Sequence, residues 1–159
     1  MTTLRPAAPE DQPAVRALLA RAELPEDGLE DFFPDGYAVA EVDGRIIGAT
    51  GIETYGDDGL LRSAVVAPEW RGRGIGRLLA EERLSWARRR GFRAVYLLTT
   101  TAEGYFPRLG FVAIGREEVP PGVQASREFS AACPSSAAAM RLLFTPQPPL
   151  PSTWKVMFS

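Results

Sequence analysis

The residues of this chain best suited to chemistry are three glycines and two arginines in one short run, Arg71-Gly72-Arg73-Gly74-Ile75-Gly76. They follow an apolar run over residues 60–67 and precede a helix-like run over residues 77–90. Glycines let a backbone approach a ligand closely and adopt positive φ. The N-terminus of a helix adds unpaired N–H groups and partial positive charge. The arrangement therefore predicts a site for an anionic, phosphorylated ligand.

The residue types that are scarce exclude several kinds of site. The chain has no histidine, a single lysine (Lys155) and a single cysteine (Cys133). A histidine-based triad and a histidine-ligated zinc are thereby excluded, as are an intrachain disulfide and a cysteine-rich metal site. We expect no metal, and we expect acid–base chemistry to fall to carboxylates, tyrosines, the thiol or ordered water.

Length and charge favour a single catalytic or binding domain. The chain has 159 residues and a net charge of −2, and we predict a domain over residues 1–144 followed by a proline-rich tail over 145–159. The slight negative charge argues against nucleic acid as a partner. No apolar run is long enough to span a bilayer, and the N-terminus lacks the apolar core of a signal peptide. We therefore expect no membrane partner and a cytoplasmic location.

The elements that must position these residues alternate between strands and helices. A helix is predicted to start at the proline and acids of residues 8–13, and a short second helix carries Leu29, Phe32 and Phe33. Asp43-Gly44 is a strong hairpin signal between two strands. A helix between strands indicates a crossover to a parallel strand. The predicted strands cover 37–42, 45–55, 60–67, 94–100, 111–114 and 137–144; the later helices cover 77–90, 102–109 and 124–132, with a loop at 119–122.

Two motifs carry a resemblance to a known family. Arg71, Gly74 and Gly76 fit the pattern Gln/Arg-x-x-Gly-x-Gly/Ala, whereas dinucleotide-binding and P-loop patterns do not match. The segment 106–111, Phe-Pro-Arg-Leu-Gly-Phe, is similar to an F-Y-x-x-x-G-F segment. With both motifs the chain resembles the GNAT superfamily of N-acetyltransferases over residues 4–144. The alternative is a glycine turn that caps a helix and binds nothing.

The resemblance implies an α/β (α+β) fold and a cofactor. The fold has a mixed central sheet of about six to seven strands, flanked by helices and splayed between the strands at 60–67 and 94–100. Acetyl-CoA is the implied donor, with its pyrophosphate on the N–H groups of residues 71–76 and its pantetheine arm in the splayed gap. The implied cofactor-binding residues are Val65, Val66, Arg71, Gly72, Arg73, Gly74, Ile75, Gly76, Arg77, Thr100 and Phe106.

The acceptor is indicated by a narrower resemblance. Residues 96–103 and 126–137 resemble bacterial arsenic-resistance N-acetyltransferases, which lie near amino-acid N-acetyltransferases. This implies a small amine acceptor that is amino-acid-like, with an amine-bearing organoarsenical as one candidate. Arg62, inside an apolar strand, either clamps the acceptor carboxylate or pairs with Glu53 or another acid. The residues alone leave both readings open.

The implied reaction is direct attack of a neutral amine on the thioester. Glu53 is the candidate base, acting through water, and its alternative is an exposed strand carboxylate. The tyrosine that often serves as acid in the family corresponds here to Phe106, and Tyr105, one residue earlier, is the candidate acid. This departure leaves two other functions open, a non-catalytic acetyl-CoA-binding module and a protein or peptide N-acetyltransferase. Many relatives dimerise, so a homodimer is also considered.

Overall fold

The described part of the chain forms one mixed sheet with helices packed on it. The computed structural model describes residues 2–99, 106–126 and 138–144. The strands are β1 (Thr3–Pro6), β2 (Tyr37–Val42), β3 (Arg45–Tyr55), β4 (Asp58–Val66), β5 (Ala94–Thr99), β6 (Val112–Ile114) and β7 (Ala138–Leu143). The helices are α1 (Gln12–Arg21), α2 (Leu29–Phe32), α3 (Ile75–Arg89) and α4 (Pro121–Gln124).

The sheet joins seven strands within the described residues, in the order β1-β2-β3-β4-β5-β7-β6. All neighbouring pairs are antiparallel except β4 and β5, which are parallel and connected through α3. The predicted crossover and the mixed sheet of six to seven strands are therefore confirmed.

Local turn chemistry explains the two hairpins that lead to β4. Asp43 and Gly44 both have positive φ, at 49° and 78°, as a two-residue hairpin turn with the twist of its strands requires. The next turn is also only two residues long, because Tyr55 pairs directly with Asp58. β4 consequently begins at residue 58, two residues earlier than predicted.

Glycines define both ends of α3. Gly74 is its N-cap, so the helix begins at Ile75 instead of the predicted residue 77. At the other end Gly91 has a φ of 83°, and the N–H groups of Gly91 and Phe92 donate to the carbonyls of Arg88 and Ala87. This is the Schellman arrangement by which glycine ends a helix.

The sequence reading missed or misplaced the shortest elements. β1 was not predicted, since four residues ending in proline carry no alternating pattern. α4 spans Pro121–Gln124 and so begins inside the loop predicted over 119–122. Of the helix predicted over 124–132, only residues 124–126 lie in the described part of the chain. Of the helix predicted over 102–109, only residues 106–109 lie in the described part of the chain, and there Pro107–Leu109 form a 3₁₀ turn.

The core consists of clusters in which the helices pack against the sheet. One part packs α1 and the start of α3 against β2 and β3 through Val15, Leu19, Val39 and Leu79. Another packs Leu84 and Ala87 of α3 against Val95 and Leu97 of β5. Among the described residues, no helix has both the length and the apolar character needed to cross a membrane.

Candidate active site

A gap between β4 and β5 is the first component of the site. The parallel pairing covers three residue pairs and ends at Leu60 opposite Tyr96. β4 then continues as far as Val66, and β5 as far as Thr99. The two central strands thus separate toward their C-terminal ends, which confirms the splay predicted between them. An open gap of this kind can admit an extended ligand to the strand backbone.

A bulge in β4 accompanies the separation. Gly51 lies opposite Arg62, but Ala49 lies opposite Val65, so β4 contains one residue more than β3 over this stretch. Within the bulge Ser63 has a φ of +58°, a left-handed conformation that is rare for a residue with a side chain. A bulge bends its strand and increases the local twist. It therefore helps to redirect residues 64–66 away from β5.

The loop before α3 is the second component. Gly72 and Gly74 both have a φ of +79°. A Cβ atom added at either glycine would meet no described atom within 4 Å. As far as the described residues show, glycine is therefore required here by backbone conformation and not by crowding. The first N–H groups of α3, from Ile75 onward, have no acceptor inside the helix and carry the positive end of its dipole.

The loop and the end of β4 enclose a pocket of about 500 Å³. Most of the predicted cofactor-binding residues meet there. Those that line it are Val65, Val66, Arg71, Gly72, Gly74, Ile75, Gly76 and Arg77. Ala64 and Trp70 also line the pocket and were not predicted as cofactor-binding residues. Backbone amides, a helix terminus and cationic side chains in one pocket make a binding site suited to a phosphorylated ligand.

The arginines around the pocket are exposed and form hydrogen bonds with groups that are near them in sequence. The Nε atom of Arg71 donates to the carbonyl of Val66 at 3.0 Å, and the Nε atom of Arg77 donates to Glu81 at 2.7 Å. Exposed pairs of this kind contribute little to stability. The guanidinium groups can therefore exchange these partners for phosphate oxygens at small cost.

Three predicted cofactor-binding residues lie elsewhere or outside the described residues. Arg73 does not line the pocket; its guanidinium stacks on the ring of Trp70, 4.5 Å from the centroid. Phe106 packs edge-to-face against Phe111 with ring centroids 5.9 Å apart. Thr100 lies outside the described residues, as does the candidate acid Tyr105.

Arg62 and Glu53 form a buried ion pair near the beginning of the gap. Their side chains are 1% and 2% exposed, and Nη1 of Arg62 lies 3.1 Å from Oε2 of Glu53. Gly51 and Glu53 are on the same face of β3, and Arg62 is opposite Gly51, so the pair is diagonal across the two strands. Of the two readings of Arg62, the structure shows pairing with Glu53; contact with an acceptor stays a prediction. Glu53 is buried, not an exposed strand carboxylate.

Two tyrosines, Tyr55 and Tyr37, belong to this cluster as well. Neither was predicted from the sequence as a residue of the site. The hydroxyl of Tyr55 donates to Oε1 of Glu53 at 2.6 Å. Burial and, secondly, this hydrogen bond raise the pKa of Tyr55 above its ordinary value. Tyr37 and Ser63 share a hydrogen bond of 3.2 Å between their hydroxyl oxygens. Tyr55 follows Glu53 by two residues on a strand, and residues with that spacing lie on the same face of the sheet. The spacing was therefore a signal in the sequence that the two side chains are neighbours.

Comparison with known proteins identifies the family. A family model described as Acetyltransferase (GNAT) family matches residues 5–111. Uncharacterized N-acetyltransferase CT2212 of Chlorobaculum tepidum is 36% identical over 93 residues, 58% of this chain and 56% of that protein. Probable N-acetyltransferase camello of Xenopus tropicalis is 36% identical over 101 residues, 59% of this chain and 46% of that protein. The chain thus spans about half the length of the curated relatives it matches.

Solved structures share the fold. N-acetylglutamate synthase from Neisseria gonorrhoeae, complexed with coenzyme A and N-acetyl-glutamate, has a TM-score of 0.78 at 21% identity, covering 92% of this chain and 36% of that chain. Rv2747 from Mycobacterium tuberculosis, in complex with CoA, has a TM-score of 0.77 at 24% identity, covering 90% of this chain and 99% of that chain. At these identities the likeness shows the fold alone. The family model, however, matches well over half of the chain, and the chain belongs to the acetyltransferase (GNAT) family.

Proposed function

We propose that this chain is an acetyl-CoA-dependent N-acetyltransferase that transfers an acetyl group directly to the amine of a small molecule. The observation that carries the proposal is the pocket between the end of β4 and the N-terminus of α3. It combines left-handed glycines, free helix amides and exposed arginines beside an open gap in the sheet. A nucleotide pyrophosphate joined to an extended thioester arm fits that combination of anion site and gap.

In the proposed complex the backbone of residues 71–76 binds the pyrophosphate. Arg71, Arg73 and Arg77 neutralise phosphate charge, including that of the 3′-phosphate. The pantetheine arm lies between β4 and β5 and pairs with the backbone around Val65 and Val66, as an added strand would. Thr100 and Phe106 stay predictions as further cofactor contacts.

The proposed chemistry forms an N–C bond and breaks the C–S bond of the thioester. A base removes one proton from the acceptor ammonium, and the neutral amine attacks the carbonyl carbon. The thiolate of coenzyme A then leaves, the attacking nitrogen releases its second proton to the base or to water so that a neutral amide forms, and the thiolate is protonated by an acid or by water. Glu53 is the proposed base and Tyr105 the proposed acid. Arg62 and Tyr55 each donate to one oxygen of the Glu53 carboxylate. Because that side chain is 2% exposed, a base role requires a water molecule to reach one of its remaining lone pairs.

The finer parts of the proposal concern the acceptor and its setting. Support for an amino-acid-like acceptor comes from the N-acetylglutamate synthase that shares the fold and was solved with N-acetyl-glutamate. An organoarsenical amine, and with it a role in arsenic resistance, is proposed on the sequence resemblance alone. The homodimer is proposed because many relatives dimerise, whereas the cytoplasmic location and the division into a domain over 1–144 and a tail over 145–159 are proposed from the composition of the sequence.

A panel of acceptors tests the proposal. Release of the coenzyme A thiol is measured with acetyl-CoA and, in separate reactions, free amino acids, an amine-bearing organoarsenical and short peptides. Turnover of a free amine above the peptide rate is the expected result. Acetyl-CoA binding in calorimetry with no acetylated amine would support the non-catalytic module instead, and preferential peptide turnover would support a protein N-acetyltransferase. Absence of acetyl-CoA binding would contradict the donor assignment itself.

A further inference from the structure

The buried Arg62–Glu53 pair reaches beyond the sheet to a segment that is distant in sequence. Nη1 of Arg62 donates to the carbonyl of Asp27 at 2.5 Å, and Nη2 donates to the carbonyl of Pro25 at 3.3 Å. Both carbonyls belong to residues 22–28, which connect α1 to α2. A side chain of β4 therefore holds the backbone of this connection against the sheet.

Further contacts of Arg62 fix the orientation of its guanidinium group. Nε donates to the hydroxyl of Ser63 at 3.2 Å, and Nη1 also contacts Glu53. Glu53 in turn accepts a hydrogen bond from Tyr55. The planar guanidinium thus donates to acceptors on three different parts of the chain: β3, β4 and the 22–28 connection. A planar guanidinium can bind these acceptors together because its N–H donors point in fixed directions. The ammonium group of a lysine, on a flexible side chain, would not form the same set of hydrogen bonds.

The position of Arg62 places the connection of residues 22–28 close to the gap between β4 and β5. Parallel pairing between β4 and β5 ends at Leu60, so Arg62 lies at the beginning of the gap. Two residues later, Ala64 already lines the pocket. The carbonyls of Pro25 and Asp27 are therefore held beside the inner end of the gap, where the β4–β5 pairing ends. The phosphate loop, residues 71–76, lies at the other end of the gap.

We propose that Arg62 is a positioning residue that holds residues 25–27 beside the inner end of the gap, and that it shapes the acceptor site without binding the acceptor. This inference rests on the proposed function, because the inner end of the gap is where the thioester of a bound acetyl-CoA would lie. An acceptor carboxylate could reach the guanidinium only by displacing Glu53 or the backbone carbonyls, since the side chain is 1% exposed.

The test compares Arg62→Met and Arg62→Lys with a matched control, Arg83→Met. Arg83 is a second buried arginine, 3% exposed and paired with Glu82, but it lies on α3. Hydrogen exchange of the backbone amides of residues 22–28, other than Pro25, is measured in each variant with and without acetyl-CoA. We expect exchange there to become at least about tenfold faster in both Arg62 variants and to be unchanged in Arg83→Met.

Kinetics with the amine that the wild-type chain acetylates fastest complete the test. For Arg62→Lys, which retains the charge, we expect an acceptor KM raised by about tenfold and an acetyl-CoA Kd within about twofold of wild type. A raised KM with unchanged exchange at residues 22–28 would mean that Arg62 binds the acceptor directly, and would overturn the inference. Unchanged exchange and unchanged KM would overturn it as well.

Hydrogen exchange also separates this inference from the proposed function. If no amine is acetylated by the wild-type chain, the proposed function fails, yet faster exchange at residues 22–28 in Arg62→Lys still supports the positioning of that segment. If Arg62→Met does not fold, Arg62→Lys and Arg83→Met supply the same comparison.

Discussion

Ser63 adopts its left-handed conformation at the residue where β4 leaves its regular pairing. Its φ of +58° is unfavourable for a residue with a Cβ atom, and such strain persists only where surrounding contacts impose it. The hydroxyl of Ser63 is bonded to both Tyr37 and Arg62. A Cβ at Gly51 would overlap the ring of Tyr37, so the glycine makes room for the tyrosine that holds Ser63.

Two substitutions at Ser63 separate strain from hydrogen bonding. Ser63→Ala removes the hydroxyl and keeps the strained Cβ, whereas Ser63→Gly removes the hydroxyl and relieves the strain. We expect Ser63→Ala to lower the free energy of unfolding by about 1–2 kcal/mol and Ser63→Gly to be more stable than Ser63→Ala by about 1 kcal/mol. Urea unfolding measures both. Equal stability of the two variants would show that the backbone strain is not significant.

Gly74 is the residue at which the phosphate site can be tested most directly. Gly74→Glu places a carboxylate in the pocket, and we expect acetyl-CoA affinity to fall by about 100-fold or more because like charges are brought together. Gly44→Glu is the matched control: its φ of +78° is nearly the same and its Cβ would also meet no described atom within 4 Å, but it lies in the β2–β3 turn. Calorimetry that finds equal affinity in the two variants would contradict the phosphate site.

At the scale of elements, an ion pair between Arg5 and Asp11 connects β1 to the start of α1. The guanidinium of Arg5 donates to both carboxylate oxygens of Asp11, at 2.8 and 3.0 Å. The same carboxylate accepts a hydrogen bond from the backbone N–H of Ala8. The hydrogen bond from Arg5, more than the one from Ala8, lowers the pKa of Asp11. A four-residue edge strand is thus held by a side-chain contact as well as by pairing with β2.

Asp11→Asn should lower the free energy of unfolding by about 1–2 kcal/mol at neutral pH, because the charge-assisted bonds are weakened. The depressed pKa fixes the sign of the pH dependence. The stabilisation is present above the unfolded pKa of about 3.9 and is lost as the pH falls through the lower pKa of the folded state. Denaturant unfolding from pH 7 down to about 3 should therefore show the difference between wild type and Asp11→Asn shrinking with acidity. A difference that is constant with pH would contradict the ionic assignment.

At the scale of the whole molecule, the pocket lies where the two central strands separate. The paired part of β4 and β5 is buried between core clusters, and the separated part is left for a ligand. A ligand that fills this gap connects β4, α3 and β5. Binding should consequently stabilise the whole described fold and not the phosphate loop alone.

Thermal unfolding measures this effect. At an acetyl-CoA concentration of 100 times Kd, binding contributes about 2.7 kcal/mol, which corresponds to a rise in Tm of about 5–10 °C for a chain of this size. At the same acetyl-CoA concentration, we expect this increase in Tm for Gly44→Glu and no such increase for Gly74→Glu. A rise in both variants would show that acetyl-CoA binds without the loop.

Local signals determined much of the fold from the sequence. Asp43-Gly44 predicted a hairpin that the structure confirms, and Gly91 predicted the end of α3. The glycine–arginine run of residues 71–76 predicted a loop before a helix, and it borders the pocket. These features could be predicted because positive φ, helix ends and turn lengths depend on neighbouring residues alone.

Only the tertiary structure decided the surroundings of Arg62 and the shape of the gap. The sequence allowed Arg62 two roles, since an isolated strand does not reveal which distant groups face a buried side chain. Register places Glu53 diagonal to it, and the chain path brings in the carbonyl of Asp27, 35 residues away in sequence. The bulge that accompanies the end of the β4–β5 pairing likewise has a contact from β2, the hydrogen bond between Ser63 and Tyr37. Long-range register and the hydrogen bonds of buried polar groups are properties of the assembled fold, and no local pattern specifies them.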